Sequence, residues 1–315
     1  MTELSLMVGL LNEAENLPQL YRAVTGAMER LPQVEWELVL VDDGSTDNSW
    51  EIVRSLASSD PRVRGVRLAR NYGNHAALLA ALRSVRGKYA MNLAADLQTP
   101  ADLIPRFLES CRTGADLVFG ARRHRADGAM DRFFARSFYA AMNWLTPQRM
   151  PSGGIDVFMA RRSAIDAINR QSGRNVSILN LLMSLGFRQS VIEYDRPVRS
   201  RGRSKWTLAK KIRLFADGIF AYNARPLRLC FPVGLLVGLL GLAGLAWALA
   251  SGGAIAGLVL SAGAVLLGTQ LLTTALLGEY VYRTFEEAAE RPVWLVAEET
   301  GAPAHSSNEV SRTSR

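Results

Sequence analysis

Cysteine and histidine are scarce in this sequence, and those present do not suit a disulfide framework or a metal centre. The 315 residues include two cysteines, Cys111 and Cys230, and three histidines, His75, His124 and His305, and neither set has metal-ligand spacing. The signatures GxGxxG and GxxxxGK[ST] follow none of the predicted strands, which disfavours a dinucleotide-dependent dehydrogenase and a P-loop NTPase. The N-terminus lacks the basic segment of a secretory signal, so we expect none.

Charge is missing from one long stretch near the C-terminus. No charged residue occurs from Leu229 to Gly278, and the sequence Ser251-Gly252-Gly253 divides this stretch into two runs. Each run has roughly 20–25 residues, which is about the length of a helix that crosses a bilayer. We therefore predict a transmembrane hairpin over 229–278, with a buried hairpin inside a soluble protein as the alternative.

Positive charge is concentrated just before this hairpin. The formal net charge is +8, and the segment around the single acid Asp217 carries Arg196, Arg199, Arg201, Arg203, Lys205, Lys210, Lys211, Arg213, Arg225 and Arg228. Such a cluster beside a span marks the cytoplasmic side, so we expect both termini in the cytoplasm. The cluster also suits anionic lipid headgroups. Nucleic acid is the weaker interpretation, because the cluster contains no known nucleic-acid motif.

Apolar runs alternate with helical patterns in the first 125 residues. The predicted strands are 4–11, 36–43, 63–69, 88–96 and 115–122. This alternation predicts βαβ units and a mainly parallel sheet, hence an α/β fold. Ligands of such sheets bind beyond the carboxyl ends of the strands. Polar residues occur at those ends, namely Asn12, Glu13, Asp42, Asp43, Arg70, Asn71, Asp96 and Arg122.

These patterns divide the chain into four regions. We predict a globular domain, an interfacial amphipathic segment, two transmembrane helices and a C-terminal segment, at 1–206, 207–228, 229–278 and 279–315. The polar tail after Thr300 is expected to be disordered. Gly234 and Gly238 form a GxxxG pair, from which we expect self-association into a homo-oligomer.

Two segments mix aromatic and basic side chains at helical spacing. For residues 207–222, next to the first apolar run, the pattern favours a position in the membrane interface. For residues 131–146, the interface and packing on the domain are equally supported.

The stretch VLVDDGSTDNS at 39–49 carries the sharpest single motif. Two carboxylates at a strand end, Asp42 and Asp43, are followed by a glycine that lets the backbone approach a ligand closely. This arrangement suits recognition of a nucleotide. The alternative is a turn and helix cap, with Ser45 or Asp47 as the N-cap.

Together with NEAEN after the first strand and ADLQTP after the fourth, this motif resembles the family 2 glycosyltransferases of the GT-A fold. Further segments are similar to signatures of the polyprenyl-phosphate glycosyltransferases: ARNYGNHAALLAAL (69–82), SGGIDVFMARRSAIDAI (152–168), RSRGRSKWTLAKKIRLFADGI (199–219) and LLGEYVYRTFEEAAERPVW (276–294). The resemblance extends to bacterial undecaprenyl-phosphate glucosyl and aminoarabinosyl transferases and, more distantly, to dolichyl-phosphate mannose synthase. It implies a Rossmann-like GT-A domain with amphipathic interface helices and a C-terminal two-helix transmembrane hairpin.

The donor implied by the resemblance is a nucleotide-diphosphate sugar, with UDP expected as the carrier. The predicted donor-binding residues are Asn12, Glu13, Glu15, Asp42, Asp43, Gln98 and Arg122. For Arg122, a solvated surface position is the alternative. Asp96 is predicted to be catalytic and to ligate a divalent cation, Mg²⁺ or Mn²⁺, which prefers oxygen ligands and would act as a Lewis acid for the departing diphosphate.

The acceptor implied is a polyprenyl phosphate, specifically undecaprenyl phosphate at the cytoplasmic membrane of a bacterium. Because this phosphate is already anionic, its oxygen can attack without a strong general base, and the enzyme mainly needs cations. Arg199, Arg201 and Lys205 are predicted to bind it, with Arg199 and Lys205 also catalytic; a lipid-headgroup patch is the alternative. Asp156 is predicted to be a catalytic orienting group or weak base, or else a structural acid.

Some positions depart from the family pattern. Gly9 and Leu11 stand where a proline and an aromatic residue are usual, and Ala94 replaces the first acid of a DxD motif, which leaves Asp96 alone.

The function that we expect is transfer of one sugar for envelope glycan or lipopolysaccharide modification. Two other functions are the alternatives. A processive polysaccharide synthase would carry a QxxRW segment and more spans, and a silent nucleotide- or lipid-binding scaffold has only the missing carboxylate at Ala94 in its support.

Overall fold

The computed structural model describes residues 2–123, 155–170, 178–195, 225–251, 255–288 and 292–301. These residues fall into two compact units. One unit contains the described residues up to 195 together with 292–301, and the other contains 225–251 and 255–288. The segments 131–146 and 207–222, predicted from the sequence as amphipathic helices, lie outside the described residues.

The strands of the first unit form one sheet. They are β1 (Leu4–Leu10), β2 (Trp36–Asp42), β3 (Val63–Leu68), β4 (Tyr89–Asn92), β5 (Leu117–Arg122), β6 (Ile155–Arg161), β7 (Gln189–Tyr194) and β8 (Val296–Thr300). Their order across the sheet is β7-β5-β6-β4-β1-β2-β3-β8. The strand β8 therefore joins this sheet although it follows the apolar helices in sequence.

The prediction of a mainly parallel sheet is confirmed, with two exceptions. The first five strands and β7 share one direction, whereas β6 lies antiparallel between β4 and β5, and β8 lies antiparallel to β3. The sheet is thus mixed. The strands β6, β7 and β8 were not predicted, because their partners are far away in sequence and no local turn signal indicates the pairing.

Helices cover both faces of the sheet. They are α1 (Leu17–Met28), α2 (Ser49–Ser59), α3 (Asn74–Ser84), α4 (Leu103–Arg112), α5 (Arg162–Asn169) and α6 (Ile178–Ser184). Side chains of a strand alternate between faces, so that Leu38 and Leu40 join a core with α1, α2 and α4, while Val39 and Val41 join a core with α3, α5 and α6. The result is a three-layer α/β arrangement, and the α/β class predicted from the sequence is confirmed.

The strand β4 ends earlier than predicted, at Asn92 instead of Asp96. Asn92 is buried, and its side chain accepts the N–H of Phe158 at 2.6 Å and donates to the carbonyl of Asp156 at 3.1 Å. The amide side chain of Asn92 thereby continues the pairing with β6 while the backbone leaves the sheet. Residues 93–96 are consequently a loop at its carboxyl edge.

The second unit consists of α7 (Arg225–Ser251) and α8 (Ile255–Ala288), which pack against each other. Many of their large apolar side chains are exposed, including Leu239, Leu242 and Leu272. Within the part of the chain that the structure describes, no helix combines the length and the apolar character required to cross a membrane.

Candidate active site

Hydrogen bonds link the loops that follow β1 and β2 at the carboxyl edge of the sheet. The N–H of Asn12 donates to Oγ of Ser45 at 2.8 Å, and Oδ1 of Asn12 accepts the N–H of Thr46 at 2.8 Å. Asn12 has a φ of +52°, a left-handed conformation that asparagine adopts more readily than most residues. The predicted donor-binding residue Asn12 therefore shapes the DDGST loop.

The two acids after Asn12 differ in their surroundings. The N–H of Glu13 donates to Oγ of Ser49 at 2.9 Å, and Oε2 of Glu13 accepts a hydrogen bond from Asn16 at 2.7 Å. Glu15 is exposed, two residues before α1 begins. Of these two predicted donor-binding residues, Glu13 is held in place by the loops and Glu15 faces solvent.

Asp43 fixes the loop that follows β3. Its two carboxylate oxygens accept the N–H of Tyr72 at 2.7 Å and the N–H of Gly73 at 2.9 Å, and the side chain is almost completely buried. Burial raises the pKa of the Asp43 carboxyl, an effect that the two N–H donors partly oppose. The β2 loop approaches this loop so closely that a Cβ on Gly44 would lie 2.6 Å from the carbonyl carbon of Arg70.

Asp42 is fully buried directly below this loop. Its Oδ1 accepts the N–H of Ser45 at 3.0 Å. Its Oδ2 has no hydrogen-bond partner among the described residues, and Nε of Arg67 lies 3.6 Å away. The two predicted nucleotide-binding carboxylates are thus buried, and their hydrogen bonds hold the loops after β2 and β3 in position.

Asp96 lies in the loop after β4, partly exposed. Its Oδ1 accepts the N–H of Gln98 at 3.2 Å, and the residue between them, Leu97, has a φ of +61°. A left-handed conformation is unusual for leucine and indicates a constrained loop. Among the described residues, no group of three or more acidic, histidine or cysteine side chains could hold a metal ion. Asp96 can offer an oxygen ligand to Mg²⁺ or Mn²⁺, but other ligands must complete the shell.

Asp156 is the centre of a polar cluster near the same edge of the sheet. Its Oδ2 accepts a hydrogen bond from Nε of Arg122 at 2.7 Å, and its Oδ1 accepts one from the hydroxyl of Tyr194 at 2.6 Å. Arg122 was predicted to bind the donor, and the structure places it against Asp156. Because both oxygens are engaged, this carboxylate is suited to orienting its neighbours.

Three predicted site residues, Arg199, Arg201 and Lys205, lie outside the described residues. Other contributors were missed in the sequence, namely Arg67, Tyr72, Asn92 and Tyr194. Arg67 had a signal, since it is a charged residue next to the end of an apolar strand. Tyr72 acts through its backbone N–H, and Asn92 and Tyr194 act through contacts with residues distant in sequence, so local patterns gave no indication of them.

Comparison with known proteins identifies the family. The sequence profile described as Glycosyl transferase family 2 matches residues 5–179. The chain is 32% identical over 301 residues to the bactoprenol glucosyl transferase of Shigella phage SfX, with 93% of this chain and 98% of the relative covered. It is 33% identical over 301 residues to the undecaprenyl-phosphate 4-deoxy-4-formamido-L-arabinose transferase of Pseudomonas fluorescens, with 93% and 88% covered.

A third relative aligns over a similar length. The putative glycosyltransferase CsbB of Bacillus subtilis is 28% identical over 301 residues, covering 94% of this chain and 91% of the relative. Among solved structures, glucosyl-3-phosphoglycerate synthase from Mycobacterium tuberculosis is similar with 20% identity and a TM-score of 0.45, over 69% of this chain and 80% of that one. The family profile and the relatives at more than 30% identity agree, and the chain is a glycosyltransferase that belongs to glycosyl transferase family 2.

Proposed function

We propose that this enzyme transfers one sugar from a nucleotide-diphosphate donor to a polyprenyl phosphate, with inversion at the anomeric carbon. The observation that carries the proposal is the alignment over 93% of the chain with enzymes named for bactoprenol and for undecaprenyl phosphate. The loops fixed by Asn12, Asp42 and Asp43 at the carboxyl edge of the sheet support it, because nucleotides bind at that edge in such folds.

The donor's nucleotide, for which UDP is the preferred candidate, would lie over the β1, β2 and β3 loops. Asn12 and Asp43 hold the loops in position, and the exposed Glu15 is available at their rim. Hydrogen bonds already made within the free protein reduce the ordering that binding requires. The Asp42 and Asp43 carboxylates thus act mainly by pre-organising the nucleotide site.

A divalent cation, Mg²⁺ or Mn²⁺, is proposed to assist departure of the nucleoside diphosphate as a Lewis acid. The partly exposed Asp96 would supply a hard oxygen ligand, as such cations prefer, and Gln98 lies beside it. Since Ala94 provides no second carboxylate, the remaining ligands would be donor phosphate oxygens and water. Metal affinity should therefore be low until the donor is bound.

The acceptor phosphate supplies the nucleophile itself. One of its anionic oxygens forms the new bond to the anomeric carbon, the bond from that carbon to the diphosphate breaks, and the nucleoside diphosphate leaves with the electron pair. No proton needs to be removed from the acceptor. Arg199, Arg201 and Lys205 would gather the two anionic substrates. Asp156 is proposed as an orienting group, because Arg122 and Tyr194 engage both of its oxygens.

A lipid acceptor requires the enzyme to work at a membrane, and we propose attachment through 229–278. This segment carries no charge, and large apolar side chains are exposed on α7 and α8. The basic segment before it would place the active site at the cytoplasmic face of a bacterial inner membrane. The glycine pair at 234 and 238 supports self-association of the hairpin.

The test is transfer of label from a sugar nucleotide to a lipid. Membranes that contain the full-length enzyme are incubated with undecaprenyl phosphate and a panel of radiolabelled UDP- and GDP-sugars, with and without EDTA. We expect a lipid-soluble product that EDTA and Asp96→Ala both abolish. Asp102→Ala is the matched control, since Asp102 is a nearby exposed acid with no side-chain capping bond.

The outcomes separate the proposal from its rivals. Absence of lipid-linked label with every donor would contradict the proposal and favour the scaffold. A polymer that grows with time would favour a processive synthase. Full activity of Asp96→Ala would remove the role proposed for Asp96 and its metal while leaving the transferase activity intact.

A further inference from the structure

The strand β8 borders the part of the sheet that carries the nucleotide loops. It pairs antiparallel with β3, such that Glu298 lies opposite Arg67 and Glu299 lies opposite Val66. Because successive side chains of a strand point to opposite faces, Glu298 and Glu299 leave the strand in opposite directions. The contacts of Glu298 show that it lies on the face that α2 covers.

Glu298 accepts a hydrogen bond from Trp50, the largest buried side chain of α2. The indole Nε1 of Trp50 donates to Oε2 of Glu298 at 2.8 Å, and Nε of Arg54 lies 3.6 Å from Oε1. The side chain of Trp50 is only 1% exposed. A buried indole N–H needs an acceptor, so Glu298 fixes both the position and the tilt of this ring.

The Trp50 ring also lies close to Arg67, the cation next to Asp42. The guanidinium carbon of Arg67 lies 6.0 Å from the centroid of the Trp50 ring, at the outer limit of a cation–π contact. Nε of Arg67 is 3.6 Å from Oδ2 of Asp42, the buried oxygen with no hydrogen-bond partner among the described residues. Arg67 is thus the cation that compensates the buried charge of Asp42 at this point.

We propose that Glu298 and Trp50 are positioning residues of the donor site, which act through Arg67. Glu298 holds the Trp50 ring, the ring supports the Arg67 guanidinium, and Arg67 sets the electrostatic environment of Asp42 below the nucleotide loops. The inference rests on the proposed function, because it assigns the nucleotide to that edge. In this proposal the strand β8, which follows the apolar helices in sequence, contributes to donor binding.

The experiment compares variants of the full-length protein purified in detergent. The dissociation constants of UDP and of GDP, each with Mg²⁺, are measured by calorimetry, and thermal unfolding is followed on the same samples. Glu298→Ala removes the acceptor, Glu298→Gln keeps an acceptor oxygen for Nε1, and Trp50→Phe removes the donor while keeping a ring. Glu299→Ala is the matched control, because Glu299 is an exposed neighbour on the opposite face of the strand.

We expect Glu298→Ala and Trp50→Phe to weaken nucleotide binding by about three- to tenfold, less than the full loss of a hydrogen bond to a charged group, because Glu298 acts on the donor site only through Trp50 and Arg67. Glu298→Gln should restore most of the affinity, and Glu299→Ala should match the wild type. At saturating donor, kcat should be unchanged. If Glu298→Ala does not fold, Trp50→Phe and Glu298→Gln provide the comparison.

Two results would overturn the inference. One is a lower melting temperature with an unchanged nucleotide affinity, which is the signature of a purely structural strand. The other is a Glu298→Gln variant as weak as Glu298→Ala, because the hydrogen bond to Trp50 would then not be the link. If the wild type binds neither nucleotide, the proposed function fails as well, whereas wild-type binding that the variants leave unchanged refutes this inference alone.

Discussion

Replacing Asp43 tests whether the nucleotide site is pre-formed by buried carboxylates. In Asp43→Ala, the N–H groups of Tyr72 and Gly73 lose acceptors at 2.7 and 2.9 Å. An orphaned donor costs about 1–3 kcal/mol, and relief of the buried charge offsets part of the loss. The N–H of Gly73 also donates to Oδ1 of Asn71 at 3.0 Å, so that chiefly the N–H of Tyr72 is left without an acceptor, and we expect a net loss of stability of about 1–2 kcal/mol. Asp43→Asn keeps one acceptor oxygen and should lose about half of this.

The assay is thermal unfolding of the full-length variants, together with calorimetric binding of UDP. For a unit of this size, 1 kcal/mol shifts the melting temperature by about 2–4 °C, so that Asp43→Ala should melt about 2–8 °C below the wild type. UDP binding should weaken because the loop after β3 is no longer fixed. Glu51→Ala, which removes an exposed acid in the first turn of α2, is the control: it should leave UDP binding unchanged and lower stability by less than about 1 kcal/mol.

Measuring the stability of the wild type and of Asp43→Asn as a function of pH tests the direction of the Asp43 effect. Burial raises the pKa of Asp43 in the folded protein above its ordinary value of 3.8. A raised pKa means that this group's contribution to stability is complete below the ordinary value and is lost as the pH rises through the folded-state value. The advantage of the wild type over Asp43→Asn should therefore shrink as the pH rises. An advantage that grows, or an Asp43→Ala variant with wild-type stability and UDP affinity, would refute the reasoning.

Three further predictions concern other charged groups. Tyr194→Phe removes the hydroxyl bonded to Asp156 and should lower lipid-linked product by about tenfold, measured with labelled donor, because a hydrogen bond to a carboxylate is lost. Glu37→Ala breaks a buried ion pair with Arg64 and should lower stability by about 3–5 kcal/mol. The control Glu29→Ala removes an exposed acid at the C-terminal end of α1 and should leave thermal unfolding unchanged. Bonding to Arg62 lowers the pKa of Asp60 from 3.8 to about 2, so its stabilisation is present above the ordinary value and lost as pH falls through about 2. The stability difference between wild type and Asp60→Asn should vanish over that range, and a constant difference would contradict the assignment.

The sheet and its ligand edge could be predicted because their signals are local. Each of the first five strands is an apolar run bounded by polar loops, and helical patterns follow the first three runs. Parallel pairing follows from that alternation, and the polar strand ends then identify the site. Accordingly, Asn12, Asp42, Asp43 and Asp96 all lie at the predicted edge.

The functions of individual side chains at this edge were less predictable. Asp42 and Asp43 carry the motif, yet their oxygens are used on Ser45 and on the loop after β3. Whether a carboxylate faces a ligand or a backbone N–H depends on the approach of two loops. That approach is set by packing between elements, so the motif alone did not reveal it. The same reason explains why the pairing of Arg122 with Asp156 was not foreseen.

The sequence by itself determined the order of the first five strands and of the helices that follow the first three, the polar edge, the charge-free segment and the family resemblance, since all of these depend on neighbouring residues. Only the tertiary structure decided that β6 and β8 enter the sheet antiparallel, that Tyr194 contacts Asp156, and that Glu298 reaches Trp50 across 248 positions of sequence. Pairing over such separations is stabilised by contacts that exist only in the folded chain, and no short stretch of sequence encodes them.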